Sequence, residues 1–332
     1  MTLPDGWTTR RPTLDDIAAI LAVVHASDIA SVGYPDFGAD EVEEVLRAPN
    51  FDPAADSWLA VDPAGEVVAW AYLENPHGAD RENVEVYVHP EHGVPAQPPL
   101  LDLLLGRVVE RAAAAGREQV RVRAGAIPTE LRYIALLRSA GFAFVKRYAR
   151  MARPLTAADA RLPDPPPGVL IRPLRSVDDA DLRTFFTILD AAFQDTPDYL
   201  PQTYQRWRER LAVIAAPEWD EWLVAEVDGV AVGIVQSASD KTTNAGPGPS
   251  DGDARSEGWV RNLAVLREHR GRGVGRALLR HAFAIYAAKG RAWAGLGVDL
   301  TNPTRAYDLY TSVGMSASYE ADIYERTVSA AG

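Results

Sequence analysis

The chain has 332 residues, 34 Lys and Arg against 46 Asp and Glu, a formal charge of −12 and no cysteine. This length suggests about two domains, and a composition that is 47% hydrophobic and 24% charged supplies a core and excludes disorder throughout. Without cysteine there is no disulfide, no thiolate metal site and no thiol nucleophile, and the acidic balance argues against wrapping nucleic acid while favouring a neutral or cationic small ligand.

Residues 1–16 have no apolar segment of the kind a secretory signal needs, and no later run reaches membrane-spanning length, so a cytoplasmic chain without membrane contact is expected. An opening strand ends near Arg11-Pro12, and Ile17, Ile20, Leu21 and Val24 follow at helical spacing. Two strands then flank a hairpin turn at Pro63-Ala64-Gly65. A further strand covers residues 84–88, a long helix residues 100–115 up to Gly116, and another strand residues 119–124. A helix stopping near Gly141 and a closing strand complete the series.

The series then repeats. Arg11-Pro12 with Asp15-Asp16 reads like Arg172-Pro173 with Asp178-Asp179, and Trp58-Leu59-Ala60-Val61 reads like Trp222-Leu223-Val224-Ala225. Val88 through His92 face Val265 through His269, and Ser139-Ala140-Gly141 faces Ser312-Val313-Gly314. The landmarks keep their order, which marks an internal duplication. Between the copies, Pro154 to Gly168 holds Pro163, Pro165, Pro166 and Pro167 and reads as a stiff extended linker. Residues 239–258 are rich in Gly, Ser, Asp and Thr without apolar period and read as a mobile loop. The expected fold is α/β, a mixed sheet with helices on it, made twice: residues 1–155, a linker at 156–168, and residues 169–332.

The most specific stretch is Arg270-Gly271-Arg272-Gly273-Val274-Gly275-Arg276, between the strand at 259–265 and a helix carrying Leu278, Leu279, Ala282 and Ile285. A strand, a glycine-rich turn and a helix start make an anion site, because free N–H groups and the helix dipole both favour negative charge. The glycines let a phosphate approach the backbone. No Gly-Lys-Ser/Thr follows, and the spacing is not that of a dinucleotide fingerprint. A plain basic turn, or an arginine-glycine contact to nucleic acid, stays open.

Arg270, Gly273 and Gly275, with Asn262-Leu263-Ala264-Val265 before them and Asn302, Ala306, Leu309-Tyr310 and Gly314-Met315 after them, resemble the signature of the GNAT family of acetyl-CoA-dependent N-acetyltransferases, Met315 replacing the usual Phe. The resemblance covers the second half closely and the first in outline, and tandem GNAT enzymes share this two-domain architecture. It implies direct acetyl transfer to a primary amine, with acetyl-CoA as co-substrate and no metal. The turn from Arg270 to Arg276, through Gly271, Arg272, Gly273, Val274 and Gly275, would hold the pyrophosphate. The backbone of Leu263, Ala264 and Val265 would pair with the pantetheine arm, and Asn302 would contact it or cap the next helix. Tyr310 stands at the family's general-acid position. Glu257 and Asp299 are the candidate bases, and a water chain is the alternative.

The first half lacks this signature. Its turn, His92 to Pro99, has no Arg and no paired glycines, and its prolines remove N–H donors. Leu137 stands where the second half has Tyr310, so residues 1–155 read as a degenerate GNAT domain. Trp7, Tyr34 and Trp70 read as core or as walls of an amine pocket. His89 and His92 have no carboxylate cluster to make a metal site. Asp195 and Asp198 could hold a cationic amine. The expected acceptor is a small molecule: an amino sugar, a cysteinyl glycoside or an antibiotic. A protein or peptide N-acetyltransferase and a non-catalytic acetyl-CoA-binding sensor or scaffold are the alternatives.

Overall fold

The computed structural model describes residues 2–48, 50–75, 81–194, 196, 199, 201–213, 218–243, 255–301 and 306–329. The first copy runs β1 (Thr8–Arg10), α1 (Ile17–Val32), α2 (Ala39–Leu46), α3 (Pro53–Asp56), β2 (Ser57–Val61), β3 (Val67–Glu74), β4 (Arg81–Val88), α4 (Gln97–Ala114), β5 (Gln119–Ala126), α5 (Leu131–Ser139) and β6 (Ala143–Pro154). The second runs β7 (Val169–Pro173), α6 (Asp179–Phe193), α7 (Tyr204–Val213), β8 (Leu223–Val227), β9 (Val230–Thr243), β10 (Arg255–Val265), α8 (Val274–Ala288), β11 (Trp293–Asp299), α9 (Ala306–Ser312) and β12 (Ser316–Ser329).

Local chemistry sets the ends of these elements. α1 stops at Gly33, whose φ of 91° few other residues adopt. α4 begins three residues before the apolar period suggests, because Pro98 and Pro99 fit a first turn whose N–H groups have no intrahelical acceptor. The Asp178 side chain accepts from the Ala180 N–H and caps α6. α8 buries Val274, Leu278, Leu279, Ala282, Phe283 and Tyr286 against its sheet.

The chain divides into two compact units, and the division does not fall at the linker. The described residues up to Tyr148, Thr243 and those from Tyr319 onward form the first; Ala149–Thr242 with residues 255–318 form the second. The sheet order in the first unit is β1-β2-β3-β4-β5-β12 and then the start of β6; in the second it is the end of β6, then β11-β10-β9-β8-β7. β12 pairs antiparallel with β5 from Asp322↔Ala126 to Ser329↔Gln119. Sequence order has each half closing on its own last strand. Instead the closing strands are exchanged: Tyr324 and Val328 enter the core of the first unit, and Ala149 and Met151 enter that of the second.

The proline-rich segment is not a free extended tether. It contains a short 3-10 turn at Ala157–Ala160. The Leu155 N–H donates to the Ala292 carbonyl at 2.8 Å, and the Arg153 guanidinium reaches Asp159 at 2.6 Å. All of these residues belong to the second unit.

Candidate active site

In the second unit β10 and β11 run parallel, paired from Glu257↔Trp293 to Trp259↔Gly295. Among the described residues no rung follows, although β10 continues to Val265 and β11 to Asp299. The ladder stops there, so among the described residues the β10 backbone at Leu263, Ala264 and Val265 has no partner rung on β11. An amide-rich ligand can add to such an edge as a short strand.

The glycine turn stands at the end of β10. Gly271 has φ 74°, and Gly273, which precedes α8, has φ 80°. Both lie in the left-handed region, where a Cβ costs energy. A Cβ on Gly275 would stand 3.2 Å from Leu309 Cδ2, so its absence lets α8 start close against α9. Gly233 on β9 does the same for Leu278, Val274 and the Ala264 carbonyl, all within 3.2 Å of where its Cβ would be. The first N–H groups of α8 have no intrahelical acceptor, and the dipole makes this end positive. Arg272 and Arg276 are exposed there. Arg270 is placed differently: it donates to the carbonyls of Val265 at 3.0 Å and Ala192 at 3.2 Å, tying the turn to the end of β10 and to α6.

Tyr310 lies on α9 in the core that α8 and β11 share, 9% exposed. Among the described residues its hydroxyl makes no hydrogen bond, and burial pushes its pKa up to about 12. The phenol is therefore protonated throughout the physiological range and available as a donor.

Glu257 is not at the surface. It is 1% exposed, and its Oε2 accepts from the Arg150 guanidinium at 2.6 Å. Arg150 also lies over the ring of Trp259, 5.2 Å from its centroid. Gly295 makes room for this arrangement, since a Cβ there would stand 2.1 Å from Glu257 Oε1. This placement differs from that of a solvent-facing base. Asp299 accepts from the Thr301 N–H at 2.8 Å and from its hydroxyl at 2.6 Å, closing the turn after β11. Asn302, Asp195 and Asp198 lie outside the described residues, as does most of the 239–258 segment.

Sequence reasoning missed Arg150, Gly233, Gly258 and Tyr286. A Cβ on Gly258 would stand 2.1 Å from the Tyr286 ring, whose hydroxyl meets Ser237 Oγ at 2.5 Å. Glycine inside a strand was the available signal for such close approach.

The model of the acetyltransferase (GNAT) domain matches residues 218–314, which span the end of the β10–β11 ladder, the glycine turn and Tyr310. A mycothiol acetyltransferase of Frankia casuarinae is 31% identical over 321 residues, covering 92% of this chain and 82% of its own length. The chain belongs to the GNAT acetyltransferase family. A GCN5-related N-acetyltransferase from Sphaerobacter thermophilus is similar over 99% of this chain and 98% of its own, at 25% identity and a TM-score of 0.81. A tandem GNAT protein from the clavulanic acid biosynthesis pathway shares the fold over 98% of this chain and 99% of its own, at 17% identity and a TM-score of 0.66. The tandem architecture expected from the duplication, similar to that of mycothiol synthase, agrees with these relatives. This GNAT protein is an N-acetyltransferase, and the family's co-substrate is an acyl-CoA.

The GNAT turn of the second unit has a closed counterpart in the first. There Pro98 and Pro99 follow Gln97 in the first turn of α4, Ala96 and Pro99 are buried, and a Cβ on Gly93 would stand 2.0 Å from the Val68 carbonyl. Leu137, fully buried, occupies the place of Tyr310. Trp70 is core: its Nε1–H donates to Ser57 Oγ at 3.0 Å, and its ring stacks on Tyr72. Among the described residues no helix is long and apolar enough to cross a membrane, and no group of three or more His, Asp or Glu is placed to hold a metal.

Proposed function

We propose that the second unit carries the working site, binds acetyl-CoA and transfers its acetyl group directly to a primary amine of a small molecule. The observation that carries this reading is the end of the β10–β11 ladder before the glycine-capped start of α8, with Tyr310 buried on the neighbouring α9. The pyrophosphate would sit on the N–H groups from Gly271 to Arg276, with Arg272 and Arg276 adding charge. Arg270 holds the turn in shape. The pantetheine arm would pair with Leu263, Ala264 and Val265, whose N–H groups also polarise the acetyl carbonyl. Asn302, just before α9, would contact that arm.

In the transfer the amine nitrogen attacks the acetyl carbonyl carbon, the C–S bond breaks, and its electron pair leaves on sulfur. An ordinary thiol has a pKa of about 8.5. A phenol held near 12 is a weaker acid by about three to four units, so giving up its proton outright is uphill by roughly 5 kcal/mol. Tyr310 therefore acts first as a hydrogen-bond donor to the charge growing on sulfur. The ammonium formed by the attack is the strong acid in the system, and its proton balances the thiolate through the phenol or through water. Glu257 remains with Arg150 in this reading, and the amine loses its first proton to water.

The first unit, with its turn closed and its acid replaced, does not bind acetyl-CoA. The relatives' name favours a small-molecule acceptor, such as an amino sugar, a cysteinyl glycoside or an antibiotic-like amine, over a protein. Calorimetric titration with acetyl-CoA tests the reading through its stoichiometry. One site per chain is expected, followed by amine-dependent release of free thiol. Two sites would overturn the account of the first unit, and no binding would overturn the whole.

A further inference from the structure

The first unit contains a cavity of about 260 Å³ where β4 and β5 part beyond Val84↔Ala124. Its walls come from α1, the segment after it, β4, β5, the start of α5 and β12. The side chains on these walls include Asp28, Asp36, Glu85 and Glu130, and among the described residues the lining holds no Lys, Arg or His. This acidic group lies among Phe37, Val86, Tyr87, Ile127 and Ile323.

Part of the acceptor capacity is used within the protein. Asp28 accepts from the Asp36 N–H at 3.0 Å, Glu130 from the Ile127 N–H at 2.7 Å, and Asp36 from the Tyr319 hydroxyl at 2.7 Å. The Glu85 carboxylate has no hydrogen bond or ion pair among the described residues. Across the opening a Cβ on Gly125 would lie 3.6 Å from Glu85 Oε1, so this glycine keeps the space before the carboxylate free. An independent observation marks the same place. Tyr133, on α5, lines the cavity and is 4% exposed, yet its buried hydroxyl has no hydrogen-bond partner among the described residues. A buried hydroxyl without a partner carries a desolvation cost that a ligand accepting or donating there would recover.

We infer that this cavity binds a small organic ammonium ion, with Glu85 as its principal counter-charge and Tyr133 as its neutral hydrogen-bonding partner. The mixture of carboxylates with aromatic and aliphatic walls suits a cation with a carbon skeleton. A bare metal ion fits less well, since no set of carboxylates is placed to coordinate one among the described residues. In the duplicate, Asn262 stands where Glu85 does and bonds to Gln236, so the charge is particular to the first unit.

Burial pushes the Asp28 carboxyl up to about 7 and the Glu85 carboxyl up to about 8. The titratable groups that face them are Glu74 and Tyr72 from β3, Tyr87 from β4, Glu130 and Tyr133 at α5, Asp36 and Glu41 around α2, and Tyr319 from β12. His25, also on α1, is held at the Phe37 carbonyl, 2.7 Å away. Each facing carboxylate opposes ionisation of the others, and a bound ammonium would favour it. Binding therefore releases protons near neutral pH and tightens as pH rises.

The test is calorimetry of the full chain with putrescine, with 1,4-butanediol as the neutral control, at about pH 6.5 and about pH 8.5. One putrescine per chain, tighter at the higher pH and with proton release read from two buffers, is expected; the diol should not bind. Glu85→Gln should weaken binding about tenfold or more. Gly125→Leu, which fills the space, should abolish it. Both variants should keep wild-type acetyl-CoA affinity, which shows that they fold and separates this site from that of the second unit. Tyr133→Phe, which removes only the hydroxyl, should weaken putrescine binding by a smaller factor. No binding by the wild-type chain at millimolar putrescine, or binding indifferent to both Glu85→Gln and Gly125→Leu, would overturn the inference.

Discussion

Arg150 and Glu257, 107 positions apart in the chain, form a hydrogen-bonded ion pair 2.6 Å long, with side chains 5% and 1% exposed. The pair joins β6 to β10 inside the second unit, so the strand that leaves the first copy is fastened by a charge that the sequence offers as a catalytic base. Removing one member strands the other in a poor solvent for ions. Arg150→Met or Glu257→Leu should each cost about 3–5 kcal/mol, whereas the double variant should cost much less than their sum. Denaturant unfolding of the three variants measures the coupling, and simple additivity would show that the pair contributes nothing as a pair.

Tyr310→Phe removes a hydroxyl with no hydrogen bond among the described residues, so stability should hold. Turnover should fall about 100-fold or more, with acetyl-CoA affinity nearly unchanged, because the lost contact forms only as charge grows on sulfur. Steady-state kinetics beside a direct binding measurement separates these effects. Equal turnover would remove Tyr310 from the chemistry.

Gly273→Glu places a Cβ where φ is 80° and a negative charge where the pyrophosphate would lie. The backbone strain alone amounts to about 1–2 kcal/mol. Acetyl-CoA affinity should drop by at least about tenfold, and more at low salt. Gly273→Ala carries the strain without the charge, so it should fall between the two. Unchanged affinity in both would mean that the phosphates bind elsewhere.

The carboxyls of Asp28 and Glu85 give the ligand-free protein an unusual pH response. Their folded pKa values, about 7 and about 8, lie above the ordinary 3.8 and 4.5. Between those limits the folded state binds more protons than the unfolded one, so stability is highest at the acid end and falls as pH rises, levelling above about pH 8. This is the reverse of a salt-bridged carboxylate, whose contribution is lost on acidification. Thermal unfolding from about pH 5 to about pH 9 should show the decline, and Glu85→Gln should flatten it. An identical slope in the variant would count against the assignment.

Much of the active half was legible in the amino-acid order. The duplication shows in paired landmarks such as Trp58 and Trp222, and the anion turn in Arg270 to Gly275. These features are local: a left-handed glycine, a helix start and an apolar period are properties of a few consecutive residues. Tyr310 could be placed because its distance from Gly314 lies within one helix and its end.

What tertiary structure decided involves partners far apart in the chain. The residues at 143–154 and at 316–329 each make a long strand, and backbone hydrogen bonding is blind to side-chain identity, so nothing local states which sheet each one closes. Glu257 reads as an ordinary strand carboxylate until Arg150 arrives from β6. Glu85 alternates with Val84 and Val86 as a solvent-facing residue would. It becomes the wall of a cavity because α1 covers that face of the sheet and β12, not β6, lies next to β5. Periodicity records which face a side chain takes. What covers that face, and with what charge, is set by segments that only folding brings together.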